Sequence, residues 1–434
     1  MKTDIIIIGS GPGGYRTASY ALQQGKQVVI IEKAEAGGTC LNSGCIPTKC
    51  LAHDAEANAS DFPAAAERKR NVMDQLRQGI EQLLSAPGIT LVRGEATFKD
   101  ARTVTVDGTD YEADDIIIAT GSSSKMPPVE GIDNPRVITS TEALNFQTLP
   151  AEIVIIGAGV IGMEFASILS RFGAKVSVIE YLKECLPVID KDIAKRVRKQ
   201  IEKLQGVTFY MDSAVKAIND NEVVFVSNKN GKETRLECPA CPVLIATGRK
   251  PNIEGLNLEA AGVEYSPKGI TVNDNMLTSV PHIYAIGDVT GRQMLAHAAT
   301  FMGFRAVNAI VGKADRIRFD IMPSAIFTYP EAAAVGLTED QCKQQGIECR
   351  ALKGYYRANG KALAIDEPEG MVKLVAGADG KILGCTSYGA HSADIVQEVT
   401  AYMNCNATVA DIADSVHIHP TLSEILQDAC VGGH

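Results

Sequence analysis

One pattern, used twice, constrains this chain more than anything else in it. Ile5-Ile6-Ile7-Ile8 is a short, wholly apolar run of the kind a strand buried on both faces requires. It leads at once into Gly9-Ser10-Gly11-Pro12-Gly13-Gly14, a helical stretch from Tyr15 to Gln24, a second apolar run Val28-Val29-Ile30-Ile31, and Glu32. Strand, glycine turn, helix, strand and terminal acid, with Glu32 18 residues beyond Gly14, is the order and spacing of a dinucleotide-binding unit. Gly9, Gly11 and Gly14 let backbone N–H groups approach a pyrophosphate at the helix N-terminus, where the helix dipole favours negative charge. The pattern recurs as Ile153-Val154-Ile155-Ile156, then Gly157-Ala158-Gly159-Val160-Ile161-Gly162, then Val176-Ser177-Val178-Ile179 and Glu180. Two such units predict an α/β chain with two Rossmann-like domains and two bound dinucleotides.

The units are not equal. Gly157 lies 148 positions after Gly9, whereas the matching exits Ala119-Thr120-Gly121 and Ala246-Thr247-Gly248 lie 127 apart. The first unit is therefore longer, and the excess falls between Glu32 and Thr120, where a helical stretch from Arg68 to Leu84 follows a segment carrying Cys40 and Cys45. In a regular helix, residues five apart have Cα atoms about 8.7 Å from each other, beyond the roughly 7 Å that a disulfide spans. A Cys40–Cys45 bridge thus needs a bend, for which Gly44 and Pro47 are the available positions. A bridge closed under strain is easily reduced, which suits a catalyst better than a staple. The other reading is two buried core thiols, which the flanking glycines, Pro47 and Lys49 disfavour.

The run Gly38-Thr39-Cys40-Leu41-Asn42-Ser43-Gly44-Cys45-Ile46-Pro47-Thr48-Lys49 resembles the active-site signature of the flavoprotein disulfide reductases. That resemblance implies Cys40 as the interchange thiol and Cys45 as the thiol lying against a flavin. It assigns FAD to the first unit, through Gly9, Gly11, Gly14, Glu32, Lys33, Gly38, Thr39 and Lys49, and through the exit residues Thr120 and Gly121. It adds Asp288, at the end of Ile283-Tyr284-Ala285-Ile286-Gly287, and Leu295, Ala296 and His297, which open a helix whose positive end would favour an anionic flavin ring. It assigns NAD to the second unit, through Gly157, Gly159, Val160, Gly162, Glu180 and Gly248. Lys49 lies one helical turn after Cys45, where its charge would stabilise a thiolate, and the family pairs this lysine with the acid matching Glu164.

Near the end stands His417-Ile418-His419-Pro420-Thr421-Leu422-Ser423-Glu424. A dithiol oxidant moves protons as well as electrons, and imidazole titrates in the useful range. The resemblance makes His419 the acid/base and Glu424 its orienting carboxylate, with His417 structural. It also implies the layout: an FAD domain over 1–145 and 276–319, an NAD domain over 146–275, and an α+β dimerisation domain over 320–434. Pro323 to Gly336, with Phe327-Thr328-Tyr329-Pro330-Glu331, resembles the start of that last domain and implies a homodimer.

Charge favours NAD over NADP. A 2′-phosphate about 5 Å from Glu180 would meet roughly 3 kcal/mol of repulsion per unit charge at an effective dielectric near 20, and only Lys183 is basic between Tyr181 and Pro187. The net charge of −10, with no basic stripe, disfavours nucleic acid as a partner, and none is expected. No run has membrane-spanning length, and Met1 to Asp4 lead into an apolar run too short for a signal peptide. Eleven cysteines, an odd number, point to a reducing cytoplasm. Cys238-Pro239-Ala240-Cys241 has the spacing of a redox or zinc pair, but no second pair or neighbouring histidine completes a metal site. A loop without catalytic role is expected there, and no metal. Cys430 is single, unlike the C-terminal pair of mercuric reductases.

The reaction implied is oxidation of a protein-bound dihydrolipoyl group to the lipoyl disulfide with reduction of NAD. Its partners would be lipoyl domains of 2-oxoacid dehydrogenase complexes or of a glycine cleavage system. Two rivals stand beside it. One is another NAD(P)H-dependent disulfide reductase acting on a small thiol compound, which the stretch from Cys50 to Asp61, short beside the resembled family, leaves open. The other is a redox-sensing subunit that binds FAD and NAD without efficient turnover.

Overall fold

A computed structural model describes residues 1–57 and 61–431. Residues 58–60, within the stretch from Cys50 to Asp61, lie outside the described residues. Both repeated units form parallel sheets of the same order. In the first, Ile89–Arg93, Val28–Glu32, Lys2–Ile8 and Thr109–Ile118 lie side by side. In the second, the sequence is Thr208–Tyr210, Lys175–Ile179, Glu152–Ile156, Val243–Ile245 and Val137–Ile138. The central apolar runs are sealed on both faces: Ile5, Ile6, Ile7, Ile153, Val154 and Ile155 have no exposed surface. Strand Ile283–Ala285 adds in parallel to Thr109–Ile118 and closes the first sheet.

Each glycine turn is made by the same contacts. Gly9 and Gly157 sit at φ +104° and +107°, a region that side-chain-bearing residues rarely adopt. A Cβ on Gly14 would lie 1.8 Å from the Gly9 carbonyl oxygen, and one on Gly162 would lie 1.9 Å from that of Gly157. Helix Pro12–Gln23 and helix Val160–Arg171 can therefore seat against their strands only because these positions lack side chains.

The first unit's extra length is three helices, Gly38–Ser43, Cys45–Ala57 and Phe62–Leu84. The last starts earlier than its apolar pattern predicts, because the Asp61 carboxylate accepts the Ala64 N–H at 2.9 Å and caps it. Its inward residues Phe62, Ala65 and Ala66 pack into the second unit's core, with Phe62 edge-on to Phe172 at 5.1 Å between ring centres. The redox insertion is thus held by both units.

The chain crosses between units on two short antiparallel strands, Ser122–Ser124 and Arg249–Pro251, each directly after a Thr-Gly exit. This moves both expected domain boundaries. Val137–Ile138 already belongs to the second sheet, and Ala143 and Leu144 to its core, ahead of the break expected at 145/146. Leu256, Leu258, Ala261, Val263, Ile270 and Val272 are buried in the first unit's core, before the return expected at 276. The crossing strands, not the apolar strand Glu152–Ile156, mark the division, and three residues apiece carry too little pattern to show it.

Residues 320–431 form the α+β third domain. A five-stranded antiparallel sheet runs in the order Ser324–Ile326, Ala332–Gly336, Ile382–Tyr388, Met371–Gly377 and Cys349–Tyr355, with helices Ser392–Asn404 and Glu424–Val431 packed on it. Buried Lys373 ties it to the second unit by pairing with Asp190 at 2.8 Å, and also pairs with Glu339 of its own domain. Among the described residues no helix is long and apolar enough to cross a membrane.

Candidate active site

Both glycine turns open onto one cavity of about 1640 Å³, whose wall also carries Cys40, Cys45, Lys49, Glu164 and Asp288. A pocket for a single small ligand is roughly 300–1,000 Å³, so there is room for more than one. Neither Gly11 nor Gly159, the residues preceding the two helices, supplies a side-chain cap. The first-turn N–H groups are thus unclaimed by side chains at the cavity wall, as an anion site requires. A Cβ on Gly159 would meet nothing within 4 Å, and one on Gly11 only the Gly38 Cα at 3.9 Å, so both turns are bare on the cavity side. These residues fit two dinucleotides.

The terminal acids do something the sequence did not show. Glu32 accepts the Ser10 N–H, the Ser10 hydroxyl and the Ala34 N–H, each at 2.8 Å. Glu180 accepts the Ala158 and Leu182 N–H groups. Each carboxylate braces its own glycine turn while still lining the cavity. Lys33 pairs with Glu95 at 2.8 Å, and Gly38 and Thr39 lie on the same wall.

The bend between the cysteines is at Gly44 (φ −149°, ψ −116°), which ends helix Gly38–Ser43 and lets Cys45 begin the next. Pro47 lies harmlessly in that helix's first turn. A Cβ at Gly44 would lie 2.8 Å from the Thr39 carbonyl oxygen, so the close turn needs glycine. Both cysteines are thiols here, and they are hydrogen-bonded to each other. The two sulfurs are driven apart in acidity. The hydrogen bond from Cys40 and the charge of Lys49 lower Cys45 to about 7, against burial and the negative Glu164. Cys40 is pushed well above the ordinary thiol range by its bond to Cys45, by burial and by the adjacent charge. Lys49 Nζ donates to both Glu164 oxygens at 2.9 Å, bringing the expected pair together. Phe327, read in the sequence only as part of the third domain's start, completes the cluster: its N–H donates to Glu164 at 2.9 Å, and its ring centre lies 4.8 Å from the Lys49 ammonium.

Asp288 sits in a second cluster that sequence did not reveal. Burial pushes its carboxyl up, against a hydrogen bond from the Ser122 hydroxyl and the charge of Arg249. Arg249 donates to the Ser122 hydroxyl at 2.7 Å and to its carbonyl at 2.6 Å. Ser122 and Arg249 each follow a Thr-Gly exit directly, and that shared position was the available signal. The exits are cross-tied as well: the Thr120 hydroxyl donates to the Asn252 carbonyl at 2.7 Å and the Thr247 hydroxyl to that of Lys125 at 2.8 Å. Helix Ala296–Ile310 begins at the cavity, with Leu295 before it and His297 Nε2 donating to the Pro323 carbonyl at 2.8 Å.

His419 and Glu424 form their expected pair, Nδ1 to Oε1 at 2.9 Å. A carboxylate only accepts, so Nδ1 carries the hydrogen and Nε2 is free; the side chain is 79% exposed. Glu424 also accepts the Thr421 N–H at 2.7 Å, and this bond, with that from His419, holds its carboxyl below the usual range. The His417 side chain, only 5% exposed, lies between Glu398 and the Ser415 carbonyl. Within one chain the pair does not line the cysteine cavity. It stands beside Val416 and Ile418, exposed by 97% and 79%.

The description "pyridine nucleotide-disulphide oxidoreductase" belongs to the family whose model matches residues 3–303, and that family's dimerisation domain matches residues 322–430. The chain is a pyridine nucleotide-disulphide oxidoreductase. Over 99% of its length it is 37% identical to a protein of Haloarcula marismortui named dihydrolipoyl dehydrogenase 3, of which 96% is covered. It is 37% identical to the dihydrolipoyl dehydrogenase of Bacillus subtilis, over 98% of this chain and 97% of that one. In structure it matches the HOCl-induced flavoprotein disulfide reductase RclA from Escherichia coli, with a TM-score of 0.90, 30% identity and 99% of each chain covered. The α/β fold with its two Rossmann-like regions is the fold of this family, and membership makes the chain a disulfide oxidoreductase that works with a flavin and a pyridine nucleotide. The dimerisation domain supports a homodimer.

Proposed function

We propose that this oxidoreductase is an NAD-dependent dihydrolipoyl dehydrogenase. The observation that carries the reading is the polarised Cys40–Cys45 pair, set in the wall of a cavity that two dinucleotide turns share. The relatives bearing that name, aligned over nearly the whole chain, support it. FAD belongs to the first turn, beside the cysteines, and NAD to the second.

In the proposed reaction His419 of the partner subunit takes a proton from one thiol of the dihydrolipoyl group. That sulfur attacks Cys40 Sγ of the oxidised pair, breaking the Cys40–Cys45 bond and releasing Cys45 as thiolate. The second dihydrolipoyl thiol then attacks the mixed disulfide, closing the lipoyl ring and freeing Cys40, which takes up a proton. Bound FAD supplies a two-electron relay from the dithiol to NAD. Lys49, fixed by Glu164, stabilises the Cys45 thiolate, and Glu424 keeps the free nitrogen of His419 available as base. Glu180, oriented by the Ala158 and Leu182 N–H groups, accepts the 2′-hydroxyl of NAD and repels a 2′-phosphate. The partners in this reading are lipoyl domains of 2-oxoacid dehydrogenase complexes or of a glycine cleavage system, in the cytoplasm.

The structural likeness to the E. coli HOCl-induced reductase favours a second reading, reduction of a different disulfide by NAD(P)H. A panel of dihydrolipoamide, glutathione disulfide and mercuric ion, each with NAD(H) and NADP(H), decides between them. Rapid NADH formation from dihydrolipoamide, exceeding every other combination, is expected. Faster NAD(P)H consumption with another substrate overturns the first reading, and negligible turnover throughout leaves the redox-sensing one.

A further inference from the structure

Away from the cofactor cavity, Cys238-Pro239-Ala240-Cys241 links strand Glu233–Glu237 to strand Val243–Ile245. The four residues form a tight turn closed by the Cys241 N–H on the Cys238 carbonyl at 3.3 Å. Pro239 fixes one central residue, and Ala240 holds the other at φ +58°, where glycine is usual. The ends of such a turn lie within roughly 7 Å, inside disulfide reach. Both cysteines are free and almost fully covered, at 0% and 5% exposure, whereas Pro239 and Ala240 above them face solvent.

A guanidinium is aimed at this pair. Arg136 Nη1 lies 3.3 Å from Cys238 Sγ and 3.8 Å from Cys241 Sγ, and it also donates to the Cys238 and Cys241 carbonyls. Nη2 donates to the Glu222 carbonyl at 2.7 Å, while the buried Nε has no partner. A fixed cation against two sulfurs favours a thiolate and opposes a bound metal cation. Among the described residues no group of three or more His, Cys, Asp or Glu side chains is placed to hold a metal. The thiols are unequal in the same sense as Cys45 and Cys40. The hydrogen bond from Cys241, then that from Arg136 and its charge, lower Cys238 to about 6 against burial and Glu152, while the bond to Cys238 and burial raise Cys241.

We propose that Cys238 and Cys241 are a second dithiol–disulfide couple, separate from Cys40 and Cys45, that is oxidised by small hydroperoxides. The Cys238 thiolate attacks one oxygen of hydrogen peroxide; the O–O bond breaks and Cys238 becomes a sulfenic acid with release of hydroxide. The Cys241 sulfur attacks the sulfenic sulfur, the S–S bond forms and the S–O bond breaks. The Cys241 proton and the one Cys238 gave to solvent complete two waters. Two thiols lose two electrons and one peroxide gains them. Burial under the turn confines the reagent to such small molecules and keeps out protein disulfides.

The test treats the flavin-loaded, reduced dimer with hydrogen peroxide, blocks remaining thiols under denaturing conditions and maps the peptides. Exposed Cys405 serves as the internal measure of exposure to oxidant. A Cys238–Cys241 disulfide forming before Cys405 is oxidised, and about ten-fold more slowly in Arg136→Gln than in wild type or Arg136→Lys, is expected. Free Cys238 and Cys241 once Cys405 is oxidised, or an unchanged rate in a folded Arg136→Gln protein, overturns the proposal. Should Arg136→Gln not fold, Cys241→Ser decides: Cys238 must then halt as a sulfenic acid labelled by dimedone, and its remaining unlabelled while Cys405 is labelled overturns the proposal equally. Turnover of dihydrolipoamide is not read, so the outcome is independent of the substrate assignment.

Discussion

At the scale of single residues, the Cys45 side of the redox pair is prepared to be a thiolate and the Cys40 side a thiol. Two-electron reduction of the holoenzyme is therefore expected to give a long-wavelength absorption band that depends on Cys45. Cys45→Ser should abolish it, and Cys40→Ser should leave a Cys45 thiolate beside the flavin while losing turnover. Dihydrolipoamide oxidation surviving in either variant would remove both assignments. Because Cys45 is lowered to about 7, the band should grow as pH rises through that value and fade below it, and Lys49→Met should move the midpoint upward by removing the favourable charge. Glu180 gives a second expectation: at least about a 100-fold preference for NAD over NADP in kcat/KM, since roughly 3 kcal/mol is two decades. Glu180→Gln should narrow it and, by weakening the brace on Ala158 and Leu182, lower Tm. Equal use of both cofactors by the unaltered enzyme would place the carboxylate away from the ribose. The cysteine segment and the need for a bend were legible because helix geometry fixes what a local spacing can do. The Arg249–Ser122–Asp288 cluster was not, because its members lie 127 and 166 positions apart and no periodicity links them.

At the scale of elements, the two glycine-led helices offer a selective experiment. Gly14→Ala and Gly162→Ala each drive a methyl into a carbonyl oxygen of their own turn, forcing the helix off its strand. Gly14→Ala should yield protein that does not retain flavin. Gly162→Ala should stay yellow and lose NAD reduction, with electrons still entering the flavin from dihydrolipoamide. Loss of flavin from the second variant, with retention in the first, would reverse the cofactor assignment. Sequence announced these helices because a strand, a glycine turn and a helix are contiguous. It misplaced the domain boundaries because the crossing strands Ser122–Ser124 and Arg249–Pro251 are recognisable only once paired.

At the scale of the whole molecule, the exposed His419, proposed above as the acid/base and flanked by uncovered Val416 and Ile418, stands at an apolar surface outside its own chain's cavity. Hybrid dimers test whether the site is shared. A Cys45→Ser subunit paired with a His419→Ala subunit, each parent being nearly inactive, should recover about half of wild-type activity per dimer, because one of the two sites then receives both intact groups. A verified hybrid without activity would count against a shared site.

The crossing strands also set an order of synthesis. The first sheet remains open until Ile283–Ala285 docks on Thr109–Ile118, whereas every strand of the second sheet has been made by Ile245. On a ribosome, where domains fold as they emerge, the inner unit is complete while its host still waits for its last strand. The half-built host must keep its apolar edge covered for the time taken to translate the whole insert, and a truncation anywhere between Pro251 and Ile283 should leave a folded nucleotide-binding unit attached to an unfinished one, a difference that limited proteolysis of stalled chains would show.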